Sequence, residues 1–247
     1  MTTLRESLRA TWEDQQSVHA PDRELRYRLM LDYVEQLASP PARVLDLACG
    51  PGSITRRVLE RFPSVEVVAV DIDPLLLDLA RDAFAGDRRV QVVSRQLAEP
   101  SWTDGLGDRF DAVLTATAMH WFPATALAEV YAGVARVLRS GGVFANADHV
   151  PLAEPVLRGA ADALHSRDLG ETFARGVEDC DGWYERAYAA PEYEGLWEQR
   201  QKAFAHWSGD LLEREGWHVD LLRRNGFERA GAVWRRGNDA LIVAVRG

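Results

Sequence analysis

Short apolar runs alternate with longer amphipathic stretches over about the first 150 residues of the chain. The apolar runs predict five strands: RVLDL, VEVVAV, VQVV, a run that ends near Thr115, and VFANAD. Apolar residues spaced three or four positions apart predict helices after the first, second and fourth strands. Glycine in the loop that follows RVLDL indicates a turn between the first strand and its helix. This alternation is typical of βα units and predicts a parallel sheet with crossover helices.

The pattern changes after Asp148, because residues 151–216 show amphipathic helical stretches and no clear strand. A short helix then ends at Asn225-Gly226, and two strands, ERAGAVW and ALIVAV, flank a turn that contains Gly-Asn-Asp. The prediction is an α/β fold with a Rossmann-like, doubly wound, seven-stranded and mainly parallel sheet, a C-terminal antiparallel hairpin and a helical insertion. Residues 1–150 hold N-terminal helices and most of the core, 151–216 a helical lid, and 217–247 the end of the core.

Composition restricts the class of partner. The 247 residues include 29 basic and 38 acidic side chains, and the resulting net charge of −9 would repel a phosphate backbone, so no nucleic-acid partner is expected. No apolar stretch approaches the roughly 20 residues needed to cross a bilayer, and the N-terminal residues lack the apolar centre of a signal peptide. With only two cysteines, neither a disulfide framework nor a metal site is expected. These features predict a cytoplasmic protein that acts on small molecules.

The turn after the first strand, VLDLACGPGSIT, carries the first candidate chemistry. Where a parallel strand leads into a helix, glycines such as Gly50 and Gly52 let the backbone approach a ligand. The dinucleotide pattern G-x-G-x-x-G lacks its third glycine here, and no phosphate-binding G-x-x-x-x-G-K-[ST] occurs. Asp46, at the end of the strand, is expected to orient the loop or to meet an ammonium group through ordered water.

This loop resembles the first motif of the class I S-adenosylmethionine-dependent methyltransferases, acidic-x-Gly-x-Gly-x-Gly, with Ala48 in place of the first glycine. The resemblance extends over most of residues 43–148 and the final hairpin, and it implies S-adenosylmethionine as the cofactor. It assigns the ribose hydroxyls to Asp71, which ends the second strand, and places Ile72 beside the adenine. Gln96 stands where the family usually has an aspartate that accepts from the adenine amino group. The predicted cofactor-binding residues are Asp46, Ala48, Gly50, Gly52, Asp71, Ile72, Gln96, Leu97 and Thr115.

The segment TATAMHWF, after the fourth strand, resembles the LHW segment of many small-molecule methyltransferases. His120 is the candidate catalytic base, since an imidazole titrates near physiological pH, and packing against the cofactor or a helix is the alternative. The predicted lid is rich in aromatic residues, including Trp207, that can enclose a flat or apolar acceptor. The predicted substrate-binding residues are Trp121, Trp183 and Trp197.

Together these features predict transfer of a methyl group to an oxygen or nitrogen atom of a small hydrophobic or aromatic molecule. Two alternatives remain open. The segment from Tyr193 to Phe227 is loosely similar to the carboxy-S-adenosylmethionine synthases, whose carboxylate-binding arginine falls on Ala203 here, or on Arg200 after a small shift. A non-catalytic S-adenosylmethionine-binding module is the other alternative, and the oligomeric state stays open.

Overall fold

The computed structural model describes residues 2–20, 22–205 and 212–247; Trp207 of the predicted lid lies outside these ranges. In the described residues seven strands form one sheet in the order β3-β2-β1-β4-β5-β7-β6. The first five strands are mutually parallel, and β7 is antiparallel to both of its neighbours. The predicted fold class is therefore confirmed. The strands are β1 (Arg43–Leu47), β2 (Glu66–Asp71), β3 (Val90–Ser94), β4 (Phe110–Ala116), β5 (Leu138–His149), β6 (Phe227–Arg236) and β7 (Asp239–Arg246).

Helices cover both faces of this sheet, because successive strand residues point to opposite sides. In β1, Val44 belongs to a buried cluster with helix α2, while Leu45 belongs to a second cluster with helix α5. The helices outside the insertion are α1 (Leu4–His19), α2 (Arg23–Ala38), α3 (Ser53–Arg61), α4 (Pro74–Ala83), α5 (Ala124–Val137) and α9 (Glu215–Arg224). The described part of the predicted insertion is helical, with α6 (Pro155–Phe173), α7 (Cys180–Tyr188) and α8 (Leu196–Ala203).

The insertion packs on the N-terminal region through its own buried cluster, in which Trp12 of α1 and Leu75 of α4 contact Trp183 and Tyr184 of α7. The ring centroids of Trp12 and Trp183 are 4.9 Å apart in an edge-to-face arrangement that aromatic pairs favour. Helix α9 begins at Glu215, within the predicted lid range. The division into residues 1–150, 151–216 and 217–247 therefore stays a prediction about organisation.

Ser53 is a residue type that often caps helices, but it does not cap α3. The cap residue is Gly52, with a φ of +91°, and it makes no side-chain cap hydrogen bond. Instead, Oδ2 of Asp46 accepts from the backbone N of Thr55 at 2.9 Å, so a carboxylate on the preceding strand satisfies one amide of the helix N-terminus. The strand therefore fixes the angle at which α3 leaves the loop.

We expect Gly52→Ala to lower the free energy of unfolding by about 2 to 5 kcal/mol, from left-handed backbone strain together with steric overlap. A Cβ at this position would overlap Cε2 of the Phe84 ring. The matched control is Gly86→Ala, where φ is +84° and no heavy atom lies within 4 Å of the added Cβ. Urea denaturation should show the larger loss for Gly52→Ala, and equal losses would contradict the steric part of this argument.

Candidate functional site

A cavity of about 210 Å³ lies at the carboxyl ends of β1, β2 and β4, beside the switch point between β1 and β4 at which open α/β sheets bind ligands. The glycine loop forms one wall and the two N-terminal helices contribute a roof. The predicted cofactor residues that line this first cavity are Ala48, Gly50, Asp71, Ile72 and Leu97. The sequence predictions missed the roof residues Gln16 and Arg23.

Asp71 lies between the glycine loop and the start of α4. Its Oδ1 accepts from the backbone N atoms of Ile72 at 2.7 Å and Asp73 at 2.8 Å, and its Oδ2 accepts from the N of Gly50 at 2.8 Å. Desolvation by burial raises the pKa of this carboxyl to about 6. A carboxylate offers about four acceptor positions, so the three amides leave one free, on Oδ2. That position can accept one hydrogen bond from a ligand, and the assignment of the ribose hydroxyls to Asp71 stays a prediction.

Asp46 lies beneath the loop and does not line the first cavity. Its Oδ2 also accepts from Oγ1 of Thr55 at 2.6 Å, and desolvation raises the pKa of the carboxyl to about 7. Its Oδ1 is buried and has no hydrogen-bond partner among the described residues. An acceptor atom of this kind fits the predicted water-mediated contact with an ammonium group, because a buried polar atom left unpaired is costly.

The other predicted cofactor residues lie around the cavity rather than on its surface. Gly52 gives α3 its cap, and Thr115 is fully buried in β4. Gln96 donates through Nε2 to the carbonyl of Ala203 at 3.2 Å, so in this structure its amide contacts α8. Ala48, which does line the first cavity, has a φ of +54°, a left-handed conformation at the position where the motif usually has glycine.

A second cavity, of about 850 Å³, adjoins the first, and both are lined by Gln16, Thr117, Trp121, Tyr184 and Arg200. Two of the three predicted substrate-binding residues line this second cavity: Trp121, which is 51% exposed, and Trp197, which is 43% exposed. Trp183 does not line either cavity. Its side chain is fully buried between α7 and α1, and its Nε1 donates to the carbonyl of Leu8 at 3.2 Å.

His120 lines the second cavity and pairs with Asp148, which the sequence predictions missed. Nδ1 of His120 lies 2.6 Å from Oδ1 of Asp148, and Oδ2 of Asp148 accepts from the backbone N of Met119 at 2.7 Å and of His120 at 3.2 Å. Burial of Asp148 raises its pKa, but the charge and hydrogen bond of His120 outweigh that effect, and the pKa falls to about 2. When the imidazole of His120 carries one proton, an ionised Asp148 favours that proton on Nδ1 and leaves Nε2 as an acceptor.

Asp73, which lines the first cavity, contacts two helices of the predicted lid. It caps α4, since its Oδ1 accepts from the backbone N of Leu75 at 2.9 Å. Its Oδ2 accepts from the hydroxyl of Tyr184 and from Nε of Arg200, both at 2.9 Å. One buried carboxylate thus holds α4, α7 and α8 together where the two cavities meet.

Residues 44–142 match a family described as a methyltransferase domain. The chain is 35% identical over 143 residues to a trans-aconitate 2-methyltransferase of Azoarcus sp. strain BH72, and 31% identical over 194 residues to a malonyl-[acyl-carrier protein] O-methyltransferase of Halorhodospira halophila. These alignments cover 55% and 78% of this chain. Residues 44–142 therefore form a methyltransferase domain of the class I S-adenosylmethionine-dependent type. The cofactor of these methyltransferases is S-adenosylmethionine, as the loop motif implies.

A solved structure supports the fold of this methyltransferase. The magnesium protoporphyrin IX methyltransferase of Synechocystis PCC 6803, solved with bound SAH (S-adenosylhomocysteine), is 14% identical and superposes with a TM-score of 0.54. The superposition covers 100% of this chain and 89% of that one. By contrast, the chain spans only 49% and 63% of the lengths of the two relatives named above.

Two further observations concern the described residues of the methyltransferase. They contain no group of three or more His, Cys, Asp or Glu side chains that could hold a metal ion. None of their helices is both long enough and apolar enough to cross a membrane.

Proposed function

We propose that this methyltransferase transfers the methyl group of S-adenosylmethionine to an oxygen or nitrogen atom of a small hydrophobic or aromatic acceptor in the cytoplasm. The observation that carries the proposal is that the two cavities meet. The glycine loop lines the first cavity, and aromatic side chains and His120 line the second. Two free cysteines, Cys49 and Cys180, and the acidic net charge support a reducing compartment and a small molecule rather than a nucleic acid.

The residues of the first cavity fit the cofactor. Asp71 offers its free acceptor position to the ribose, Ile72 and Leu97 offer apolar surface to the adenine, and Asp46 supplies an unpaired buried acceptor below the loop. Gln96 and Thr115 complete this proposed set from outside the cavity surface. When bound, S-adenosylmethionine supplies an electrophilic methyl group attached to a cationic sulfur.

The residues of the second cavity then position the acceptor, which is the main requirement of a direct displacement. Trp121 and Trp197 offer flat apolar surface and limit the access of water. Trp183 supports this wall from behind through its contacts with α1. Nε2 of His120 accepts the proton of a hydroxyl or amine acceptor, and Asp148 holds the imidazole in the tautomer that this step needs.

The curated relatives support an oxygen acceptor, because one of the two is named as an O-methyltransferase. A second candidate function, carboxy-S-adenosylmethionine synthesis, is favoured by a single observation. Arg200 lines both cavities, which is where a carboxylate on the transferred group would need a cation. Ala203, on which the carboxylate-binding arginine of those synthases falls without a shift, carries no charge.

The test is mass spectrometry of small molecules released by denaturing freshly purified protein, followed by loading with methyl-labelled S-adenosylmethionine and an acceptor screen. We expect release of S-adenosylmethionine or S-adenosylhomocysteine and label in an acceptor. Carboxy-S-adenosylmethionine would favour the second candidate, and a nicotinamide dinucleotide would contradict the cofactor assignment. Bound cofactor with no turnover on any acceptor would indicate a non-catalytic binding module.

A further inference from the structure

A second histidine–carboxylate pair lies beside the first. Nδ1 of His149 is 2.6 Å from Oδ1 of Asp239, and Oδ2 of Asp239 is 2.8 Å from Nη2 of Arg26. The rings of His149 and His120 have centroids 4.7 Å apart, and both rings line the second cavity. Because each Nδ1 is held by a carboxylate, each histidine presents only Nε2 to a ligand in this cavity.

The two histidines differ in charge environment. Burial lowers the pKa of His149, but its hydrogen bond to Asp239 and the charges of Asp148 and Asp239 outweigh burial, and the net shift is upward despite opposition from Arg26. This environment favours an imidazolium whose Nε2 donates a hydrogen bond. His149 therefore contributes positive charge beside His120.

Arg200 adds a second positive charge to the lining of the same cavity. Its Nε is committed to Asp73, and its guanidinium carbon lies 4.2 Å from the centroid of the Tyr184 ring and 4.8 Å from that of Phe204. Both rings contact the guanidinium, and its hydrogen bond to Asp73 uses neither of its two terminal nitrogens. The fork geometry of such a group matches a carboxylate.

Arg200 and His149 each pair with a carboxylate behind the cavity wall, Asp73 and Asp239, and the other ionisable groups that line the cavity add little negative charge to its interior. His19 lines the cavity from α1, and burial lowers its pKa, which favours the neutral form. The two acidic residues that line it, Asp181 and Glu185, are both exposed, so solvent screens their carboxylates.

We propose that the acceptor is an acid whose ionised oxygen, a carboxylate or phenolate, is bound by His149 and Arg200, so that the site selects an acidic oxygen over an amine. This inference rests on the proposed function, and it narrows the oxygen-or-nitrogen acceptor to oxygen. The acceptor oxygen forms a bond to the methyl carbon while the carbon–sulfur bond breaks, and its electron pair stays on sulfur as a neutral thioether. An acceptor that arrives ionised needs no base, and a neutral phenol loses its proton to Nε2 of His120.

Equilibrium binding tests the inference without requiring turnover. The probes are naphthylacetate, naphthylethylamine and naphthylethanol, which share an aromatic skeleton and differ in charge. Each is titrated calorimetrically into the 247-residue protein loaded with S-adenosylhomocysteine. We expect the acid to bind at least about tenfold more tightly than the amine, since one charge-assisted hydrogen bond is worth about that much. His149→Gln and Arg200→Gln should each reduce this preference by about tenfold, and Arg200→Lys should restore part of it.

The matched controls are His165→Gln and Arg186→Gln. His165 lies next to His149, with centroids 6.4 Å apart, but does not line the cavity, and Arg186 of α7 pairs with Glu178 on the lid surface. Both controls should keep the wild-type preference. Equal or tighter binding of the amine, or no binding of any probe, overturns the inference. Tight binding of the acid without methyl transfer upholds the inference and contradicts the proposed function.

Discussion

Asp71→Asn is expected to weaken the binding of S-adenosylhomocysteine by about 10- to 100-fold, because hydrogen bonds to a charged group contribute about 1.5 to 3 kcal/mol. An asparagine amide also cannot accept all three backbone hydrogen bonds that Asp71 now receives, so the loop around Gly50 loses part of its support. Calorimetric titration of the purified protein measures this loss directly.

The same carboxylate makes the affinity depend on pH. Since the pKa of Asp71 is about 6 in the ligand-free protein, lowering the pH below that value protonates the acceptor oxygens. The affinity should then fall by up to about tenfold for each further pH unit, and the variant should lack this slope. The control is Asp78→Asn, on the same helix as the Asp73 cap, where the carboxylate pairs with Arg5. An unchanged dissociation constant for Asp71→Asn would contradict the ribose assignment.

Asp148→Asn is expected to lower kcat with a hydroxyl acceptor by about 10²- to 10⁴-fold, the range typical for loss of general-base catalysis. The reason is that neutral asparagine no longer favours the proton on Nδ1 of His120, and Nε2 then becomes a donor. His120→Gln should have a similar effect, and the double variant should lose little more, because the two residues act as a unit. Steady-state kinetics at saturating acceptor measure all three variants.

The pairing of Asp148 with His120 also makes the free energy of unfolding depend on pH. Its folded pKa of about 2 lies below the ordinary value of 3.8, so the pair stabilises the protein above pH 3.8 and loses that contribution as the pH falls towards 2. Asp148→Asn should reduce the pH dependence of unfolding in this window, and His165→Gln should leave it unchanged. If His120→Gln retained full turnover with a hydroxyl acceptor, His120 would only pack against its neighbours.

The fold and the glycine loop could be predicted from sequence because their signals are local. The alternation of Val44 and Leu45 between two faces, and the turn at Gly50 and Gly52, are encoded within a few residues. The cap of α3 could not be predicted, because the carboxylate that satisfies its amide comes from Asp46, on the preceding strand. From the type of residue alone, Ser53 is the expected cap of this helix.

The acceptor side depends on contacts that spacing does not encode. His120 follows β4 and Asp148 is the penultimate residue of β5, and the parallel pairing of these strands brings the two side chains together. Trp183 and Trp197 are both tryptophans of the predicted lid, and the sequence does not distinguish their roles. In the structure Trp183 packs against α1, whereas Trp197 lines the second cavity. Which face of a lid helix meets the core is decided by tertiary packing, and the sequence of the lid alone does not specify it.

The shared carboxylate of Asp73 also bears on the order in which the protein folds. Its contacts to Tyr184 and Arg200 span 111 and 127 residues of sequence, whereas its cap of α4 is local. Closing such long loops costs entropy that short-range contacts avoid. We therefore expect the sheet and the glycine loop to fold first and the lid helices around the second cavity to fold last. Hydrogen exchange at α7 and α8 should then proceed by local opening while the strands stay protected.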